Sequence, residues 1–368
     1  MSYIKVLHVC SDTNIGGAGK YLLNLYKTKS QDIDLYFLLP KHSQLTSLLV
    51  NENAKVIELD IAPNKSMSIK DIYIISKLLK KLRPDIVHTH ANLTARICAK
   101  LTNIGKIIYT RHYVQTNTKP LNKIKKFLNN FLCDGVIGVT QEIKEILLNM
   151  GIDNNKIKII ENGVLPIEKH INTESIKNKL NILPDKKVVT ILSRLSPEKG
   201  IDRFIEIVAE LNKTNNNVVA LIAGAGREET HLNALIQELG LDTDKIKMLG
   251  FIQNVSDILN ITDVILNTST TEAKSLSILE AMSLGIPAIV SHVGGNPSLV
   301  EDNENGFVVE QHDITGFVDK INLLLSDKHL YDKMSSKSSE KFSKNYNAQK
   351  MTNQTELFYI NILKKKER

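Results

Sequence analysis

The stretch Val264-Ile-Leu-Asn-Thr-Ser-Thr-Thr-Glu272-Ala-Lys-Ser-Leu-Ser-Ile-Leu-Glu280-Ala-Met-Ser-Leu-Gly285-Ile-Pro287 opens on an apolar run, crosses a polar loop and enters a segment with apolar residues at helical spacing. It reads as strand, loop, helix start, and a second apolar run from Ile286 to Val290 follows at once. Strand, helix, strand is the repeating unit of a parallel sheet. Two carboxylates with seven residues between them, Glu272 and Glu280, fall one in the loop and one in the helix. The first N–H groups of a helix have no partner within it, so polar ligands dock there, and an acid on each side can hold a ligand's hydroxyls. A competing reading needs no ligand: Ser277 and Glu280 have the Ser-x-x-Glu spacing of a capping box, and Glu272 is then a solvated loop residue.

Outward from this stretch the same alternation recurs. Strands are expected at Ile4 to Val9, Leu35 to Leu39, Ile86 to His88, Ile107 to Thr110, Val136 to Val139 and Ile157 to Ile160, with helices at Gly19 to Lys27 and Ile69 to Leu82. The pattern stops at Asn162-Gly-Val-Leu-Pro166 and a polar stretch, then restarts. Strands follow at Val188 to Leu192, Val218 to Ala223, Ile246 to Leu249, Val264 to Leu266 and Phe307 to Val309, with helices at Ile201 to Leu211 and Glu228 to Leu239. The expected architecture is α/β, with two doubly wound Rossmann-like domains facing each other across a cleft. Residues 1–165 and 346–368 form the first, the final helix near Gln349 to Leu363 crossing back to it, and residues 166–345 form the second. Ligands of such sheets bind beyond the carboxyl ends of the strands, which is where the candidate motifs fall.

Counting Lys and Arg against Asp and Glu, residues 1–165 carry 23 − 13 = +10, residues 166–345 carry 19 − 25 = −6 and residues 346–368 carry 5 − 2 = +3. The basic half is the half expected to meet an anionic partner. With 5% aromatics, no Trp and no nucleic-acid-reading motif, nucleic acid is not the expected partner. No apolar run reaches the ~20 residues of a membrane span and the start lacks a signal-peptide core, so the protein is expected in the cytoplasm. Cys10, Cys98 and Cys133 lack CxxC spacing and sit in apolar contexts, as buried thiols do.

The first loop, Ser11-Asp-Thr-Asn-Ile-Gly16-Gly17-Ala-Gly19-Lys20, lets backbone approach a phosphate or sugar, but it fails both the dinucleotide and the Walker A patterns. Ser193-Arg194-Leu-Ser-Pro-Glu198-Lys199-Gly200 puts a planar cation and a point cation in one strand-end loop, a combination suited to a diphosphate. Gly224-Ala-Gly226 again permits close backbone approach. Among the histidines after first-domain strands, His112 lies just past a strand end and is the cleft candidate, whereas His88 and His90 read as structural, with no carboxylate at ligand spacing for a metal. Asp32-Ile-Asp34 precedes its strand, the wrong edge for a ligand, and reads as solvated. In Lys119 to Leu132 the residues Leu121, Ile124, Phe127, Leu128 and Phe131 share a helical face beside Lys119, Lys123, Lys125 and Lys126. Such a helix can lie on an anionic bilayer, although an apolar stripe more often packs on its own domain.

Taken in order, the Gly-Gly loop, Asp85-Ile-Val-His88, Glu161-Asn-Gly-Val164, Ser193 through Gly200, Gly224-Ala-Gly226 and Glu272 through Gly295 resemble the large retaining glycosyltransferase family 4 (glycosyl transferases group 1), with its GT-B fold, over nearly the whole chain. The resemblance implies that Arg194 and Lys199 hold the donor diphosphate, that Glu272 and the amides of Lys274, Ser275, Leu276 and Ser277 hold donor-sugar hydroxyls, and that Glu280 binds the ribose. It further implies that backbone at Gly250, Phe251 and Ile252 meets the base, that Gly16 and Gly17 border phosphate and acceptor, that Gly224 belongs to the donor-binding set, and that His112 sits by the transferred sugar. Where the family usually has Gly, an aromatic and Gly after the first Glu, this chain has Ala273, Lys274 and Ser275, which places a Lys charge near the donor sugar.

The implied reaction is metal-independent transfer from a nucleotide-diphosphate sugar, expected to be a UDP-sugar, with no cofactor and with retention at the anomeric carbon. Its expected acceptor is a hydroxyl of a glycan or lipid-linked molecule in cell-surface polysaccharide or glycolipid synthesis, at the inner face of the membrane. His112, Glu272, Arg194 and Lys199 are the expected catalytic group, with Glu272 positioning the sugar rather than attacking it. The alternatives are a nucleotide-sugar hydrolase or epimerase on the same fold, or a non-catalytic nucleotide-sugar binding protein.

Overall fold

The computed structural model describes residues 3–13, 15–112 and 123–365, and its backbone divides into two compact units. The first comprises Met1–Val164 with Asn347–Arg368, the second Leu165–Tyr346.

In the first unit, β1 (Ile4–Cys10), β2 (Ile33–Pro40), β3 (Lys55–Leu59), β4 (Ile86–His90), β5 (Lys106–Arg111), β6 (Gly135–Gly138) and β7 (Ile157–Ile159) form one parallel sheet in the order β3-β2-β1-β4-β5-β6-β7. Its central strands are buried on both faces, as parallel strands under helices must be. The helices are α1 (Gly17–Thr28), α2 (Gln44–Asn51), α3 (Lys70–Leu82), α4 (Leu93–Thr102), α5 (Lys123–Phe131) and α6 (Gln141–Asn149). In the second unit, α7 (Thr173–Lys179) leads into β8 (Lys187–Leu192), α8 (Ile201–Thr214), β9 (Val218–Ala223), α9 (Glu229–Glu238), β10 (Ile246–Gly250), α10 (Ser256–Asn260) and β11 (Val264–Asn267). Then come α11 (Leu276–Ser283), β12 (Ala288–Ser291), α12 (Asn296–Leu299), β13 (Gly306–Val309), α13 (Ile314–Ser326) and α14 (Lys328–Asn345), before α15 (Ala348–Lys364) rejoins the first unit. The second sheet runs β10-β9-β8-β11-β12-β13, also all parallel.

Each sheet reverses its strand order once, between β1 and β4 in the first and between β8 and β11 in the second. Loops leaving the carboxyl ends of the flanking strands diverge there and open a crevice. The Gly16 loop and His90 lie at the first such point, and the Arg194–Lys199 and Glu272 loops lie at the second.

The chain returns to the first unit through a tight backbone crossing. Ala348 N donates to Val164 O at 2.9 Å, and a Cβ on Gly163 would stand 2.6 Å from Asn347 O, so a side chain there would push the returning segment away. The Glu161-Asn-Gly-Val164 motif therefore sits where the last helix docks. On arrival α15 packs Met351, Tyr359 and Ile362 into the same core as Tyr21, Leu22 and Leu25 of α1.

Edge strand β3 has no counterpart in the sequence reading, because Lys55-Val-Ile-Glu-Leu59 is half exposed and its apolar signal is short. Asp34, read as solvated, is paired with Lys55 across β2 and β3 at 2.7 Å. The three cysteines are free and buried.

Candidate active site

In the second unit the loop after β8 tightens into a short turn, Pro197–Lys199, ended by Gly200 at φ 62. A Cβ at Gly200 would meet Thr268 O at 2.2 Å, so glycine is needed both for the left-handed backbone and for the approach of the neighbouring loop. Thr270 N donates to Glu198 O at 2.9 Å and Thr268 Oγ1 to Gly200 O at 2.7 Å, which binds the two loops at the strand-order reversal to each other. Across that join Lys199 Nζ meets Glu272 Oε2 at 2.6 Å, with side chains only 17% and 11% exposed. Ser269 Oγ donates to the same oxygen at 3.4 Å.

Arg194, by contrast, is 73% exposed and stands 3.5 Å from Glu198. Burial alone would raise the Glu198 pKa, but the Ser196 hydroxyl, its own backbone amide and the Arg194 and Lys199 charges outweigh that and hold the carboxyl below the usual range.

Helix α11 begins at Leu276 with Ser275 as N-cap, whose side chain makes no cap hydrogen bond. The Ser277–Glu280 capping box is thus corrected: Ser277 lies inside the helix and its hydroxyl is 3.0 Å from that of Ser275. With no hydrogen bond to them from the N-cap side chain, the amides of its first turn remain the natural partners of a ligand oxygen. Gly294 and Gly295 hold the loop before it, since Cβ atoms there would stand 2.0 and 1.7 Å from the carbonyl oxygens of Glu272 and Ala273.

One further expectation changes. Lys274 does not present its charge to a ligand in this structure: the residue is 5% exposed and its ammonium lies 4.7 Å above the ring of Tyr346. The glycines of Gly224-Ala-Gly226 serve a neighbouring backbone, because Cβ atoms there would stand 1.7 Å from Ser193 O and 2.2 Å from Leu195 O. Gly224 N in turn donates to Gly250 O at 2.8 Å, so the loops after β8, β9 and β10 form one shelf, with Phe251 60% exposed beside it. Glu280 lies in the second turn of α11, half-buried.

In the first unit the strand register gathers histidines that are far apart in sequence. His8 pairs with His88 across β1 and β4, and His90 pairs with Thr110 across β4 and β5. Parallel partners share a face and side chains repeat every second residue, so His8, His88, His90, Thr110 and His112 all point the same way. They meet Tyr21 of α1 and Tyr359 of α15. His112 Nε2 lies 3.0 Å from His90 Nδ1, and His90 Nε2 lies 3.0 Å from His8 Nδ1. Tyr359 OH is 3.4 Å from His8 Nε2 and 2.6 Å from His88 Nδ1, while His88 Nε2 is 2.8 Å from Thr110 Oγ1. Burial lowers the pKa of His8 to about 3 and that of His112 to about 4, and holds His88 and His90 well below the ordinary value.

His8, His88 and His90 are close enough together to suggest a metal site. All their ring nitrogens are already spent on hydrogen bonds, however, and none of these bonds is to a carboxylate that could offset a buried dication. His8, Thr110, Tyr21 and Tyr359 were not singled out from the sequence. The signal was present as the period-two pairs His88-x-His90 and Thr110-x-His112, which only the strand register connects to His8.

A cavity of about 240 Å³ opens at the carboxyl end of this sheet, walled by Asp12, Asn92, Arg96, Arg111 and His112 among others. Arg96 lies 4.4 Å over the Tyr109 ring, and burial lowers the pKa of both guanidiniums. Gly16 caps α1 nearby at φ −94 with open space where a Cβ would be, and Gly17 begins the helix.

Helix α5 reverses the expected packing. Ile124, Phe127, Leu128 and Phe131 are 70%, 67%, 45% and 47% exposed. Its polar side faces the domain: Lys126 abuts Gly151, Asn129 Nδ2 donates to Met150 O at 3.1 Å and Asn130 Nδ2 to Asp153 Oδ2 at 2.7 Å. Lys123 and Lys125 are exposed on the same helix, while Lys119 and Leu121 lie outside the described residues.

Comparison with known proteins agrees with this arrangement. The family model described as Glycosyltransferase Family 4 matches residues 15–166, and that described as Glycosyl transferases group 1 matches residues 172–341. The chain is 29% identical over 381 residues to the UDP-Gal:alpha-D-GlcNAc-diphosphoundecaprenol alpha-1,3-galactosyltransferase of Escherichia coli, covering 98% of each. In fold it is similar to a glycosyltransferase from Rickettsia africae, with a TM-score of 0.83, 23% identity and 99% of both chains covered. It is equally similar to Anabaena HepE, solved in complex with UDP and glucose, with a TM-score of 0.83, 21% identity and 96% and 98% of the chains covered. With two parallel Rossmann-like sheets and the two family models end to end along it, the chain belongs to the GT-B glycosyltransferases of family 4, glycosyl transferases group 1.

Proposed function

We propose that this glycosyltransferase moves a sugar from a UDP-sugar, with retention at the anomeric carbon and without an essential metal or bound cofactor, to a hydroxyl of a glycan or lipid-linked acceptor. The observation that carries the reading is the Lys199–Glu272 ion pair at 2.6 Å, shielded from water at the strand-order reversal of the second unit. A ligand that arrives with both a phosphate and a hydroxyl replaces that pair with two new ones, phosphate on Lys199 and hydroxyl on Glu272. Arg194 adds an exposed cation for the diphosphate, the first-turn amides of α11 reach sugar oxygens, and Glu280 binds ribose. Gly224, Gly250, Phe251 and Ile252 border the nucleotide, Gly16 and Gly17 border phosphate and acceptor, and His112 meets the transferred sugar.

In the reaction the bond from the anomeric carbon to the diphosphate oxygen breaks, and a bond to the acceptor oxygen forms on the same face. The acceptor proton passes to the departing diphosphate. Lys199, Arg194 and the helix amides stabilise the charge that develops there, and Glu272 holds the sugar without forming a covalent bond to it. The choice of UDP is supported by the UDP-Gal named for the Escherichia coli relative and by the UDP bound to HepE.

The acceptor is proposed to be anionic or lipid-linked, in cell-surface polysaccharide or glycolipid synthesis. Arg96 and Arg111 in the first-unit cavity and the +10 charge of residues 1–165 suit a phosphate-bearing acceptor, as does the diphosphoundecaprenol named for the relative. The exposed apolar face of α5, with Lys123, Lys125 and Lys126 and with Lys119 just before it, is proposed to rest on the anionic inner face of the membrane. No described helix is long and apolar enough to cross one.

Lys199→Ala and Glu272→Ala each remove a charge-assisted contact worth about 1.5–3 kcal/mol, so steady-state kinetics should give about 10- to 150-fold lower kcat/KM. Turnover unchanged in both variants sinks the assignment.

A further inference from the structure

The cavity at the carboxyl end of the first sheet has two chemically unlike walls. Thr89 pairs with Tyr109 across β4 and β5, and Arg111 lies two residues beyond Tyr109, so these three side chains share one face of the sheet. Arg96 of α4 joins them from above the Tyr109 ring. His112, the residue after Arg111, turns to the opposite face, where its Nε2 lies 3.0 Å from His90 Nδ1. Both walls border the same space of about 240 Å³. Sites that enclose a drug-sized ligand run to roughly 300–1,000 Å³, so this one takes a single sugar phosphate rather than a longer glycan.

The first wall is cationic and lacks counter-charge. Among the described residues neither guanidinium has a carboxylate at ion-pair distance, and Arg111 Nε is enclosed without a hydrogen-bond partner. Thr89, fully buried beside them, has no partner for its hydroxyl either. Asp12 also borders the cavity, but burial raises its pKa, and even ionised it sets one negative charge against two cations. A half-buried cation without a partner costs stability, and an anion that arrives from outside removes the cost. The second wall ends in a neutral ring: burial lowers the His112 pKa to about 4, and its Nδ1 has no partner, which suits a hydroxyl and not a phosphate.

We infer that the acceptor carries a phosphate on the same sugar that receives the new one, and that Arg96 and Arg111 hold that phosphate. Consecutive residues have their Cα atoms only about 3.8 Å apart, so the Arg111 wall and the His112 wall leave no room for a second sugar between anion and reaction centre. The acceptor is thus a sugar phosphate or diphosphate ester, free or lipid-bound, and not the outer end of a long neutral glycan. The reaction that supplies it must be one that places a sugar on phosphate. Arg96 and Arg111 set acceptor specificity. This rests on the proposed place of His112 beside the transferred sugar.

Inorganic phosphate, titrated into the full-length protein with UDP at saturation so that the donor diphosphate positions are filled, reads the anion site without turnover. Calorimetry is expected to show binding that Arg111→Gln weakens about 10- to 150-fold and that Lys81→Gln, on the exposed side of α3, leaves unchanged. Without phosphate, Arg111→Gln is expected to melt no lower than wild type, because it removes an unpaired charge rather than a contact. In turnover, hexose 1-phosphates and lipid-linked hexosyl diphosphates are expected to be used ahead of the matching methyl hexosides, and Arg111→Gln to raise KM for both phosphate esters while leaving kcat nearly unchanged.

No phosphate binding to the wild type, binding undiminished in Arg111→Gln, a lowered Tm with phosphate affinity intact, or methyl hexosides used as well as the phosphate esters overturns the inference. If phosphate binding is lost in Arg111→Gln but no UDP-sugar is turned over with any acceptor, the anion site stands and the transferase reading falls.

Discussion

At Gly224 a methyl group would stand 1.7 Å from the Ser193 carbonyl oxygen, whereas at Gly16 it would meet nothing within 4 Å. The two glycines look alike in sequence, each following a strand, and both suggest close approach to a ligand. Only Gly16 leaves room for one at its Cβ position. Gly224→Ala is expected to cost about 2–4 kcal/mol in urea denaturation, and Gly16→Ala less than about 1 kcal/mol, since its φ of −94 suits any residue. Equal costs at the two positions would contradict the packing described. Lys274 teaches the same lesson: its place in the motif was legible, but its direction depends on Tyr346, 72 residues later in the chain. Arg194, Lys199 and Glu272 were readable as a group because each follows a strand end, a property of local pattern. The distance of Lys199 from Glu272, and its greater distance from solvent than Arg194, came only with the tertiary structure.

Among elements, α5 separates what periodicity can say from what it cannot. Spacing of Ile124, Phe127, Leu128 and Phe131 establishes an apolar face but not which way it turns, and here the polar face has the partners. Replacing Phe127 and Phe131 together by Ser is therefore expected to change folding stability by less than about 1 kcal/mol while weakening sedimentation with anionic lipid vesicles. A loss of stability comparable to a core substitution would show that the face is packed. Strands β9 and β11 are readable from unbroken apolar runs, and β1, β4, β5 and β8 from apolar runs broken by one or two polar residues. Strand β3 was not, because an edge strand needs only a half-apolar pattern. Spacing places helix α11, but the capping pattern sets its N-cap two residues late, at Ser277 rather than Ser275, since both are good caps and only the backbone decides between them.

At the scale of the molecule, the doubled strand-helix alternation was sufficient to read two Rossmann-like units, and the strand-order reversals explain why the motifs collect where they do. The histidine run was not readable, because it joins β1, β4, β5, α1 and α15 from both ends of the chain. Its four buried neutral rings tie stability to pH. Unfolded histidine titrates near 6.5, and the folded values lie well below that. The unfolded state therefore binds the extra protons as pH falls. Stability is full above about 6.5 and drops toward pH 5, by up to about 1.4 kcal/mol per pH unit for each ring. Calorimetric melting between pH 7 and 5 should show the decline; a flat Tm across that range contradicts buried neutral rings.

The donor site is tested most directly by melting the protein with a panel of uridine, guanosine and adenosine diphosphate sugars, alongside Lys199→Ala. A UDP-sugar present at a hundred times its dissociation constant should add about 2.7 kcal/mol of stability, visible as a raised Tm that disappears in the variant. A Tm unmoved by every nucleotide sugar in the panel, or a rise that persists undiminished in Lys199→Ala, would contradict it.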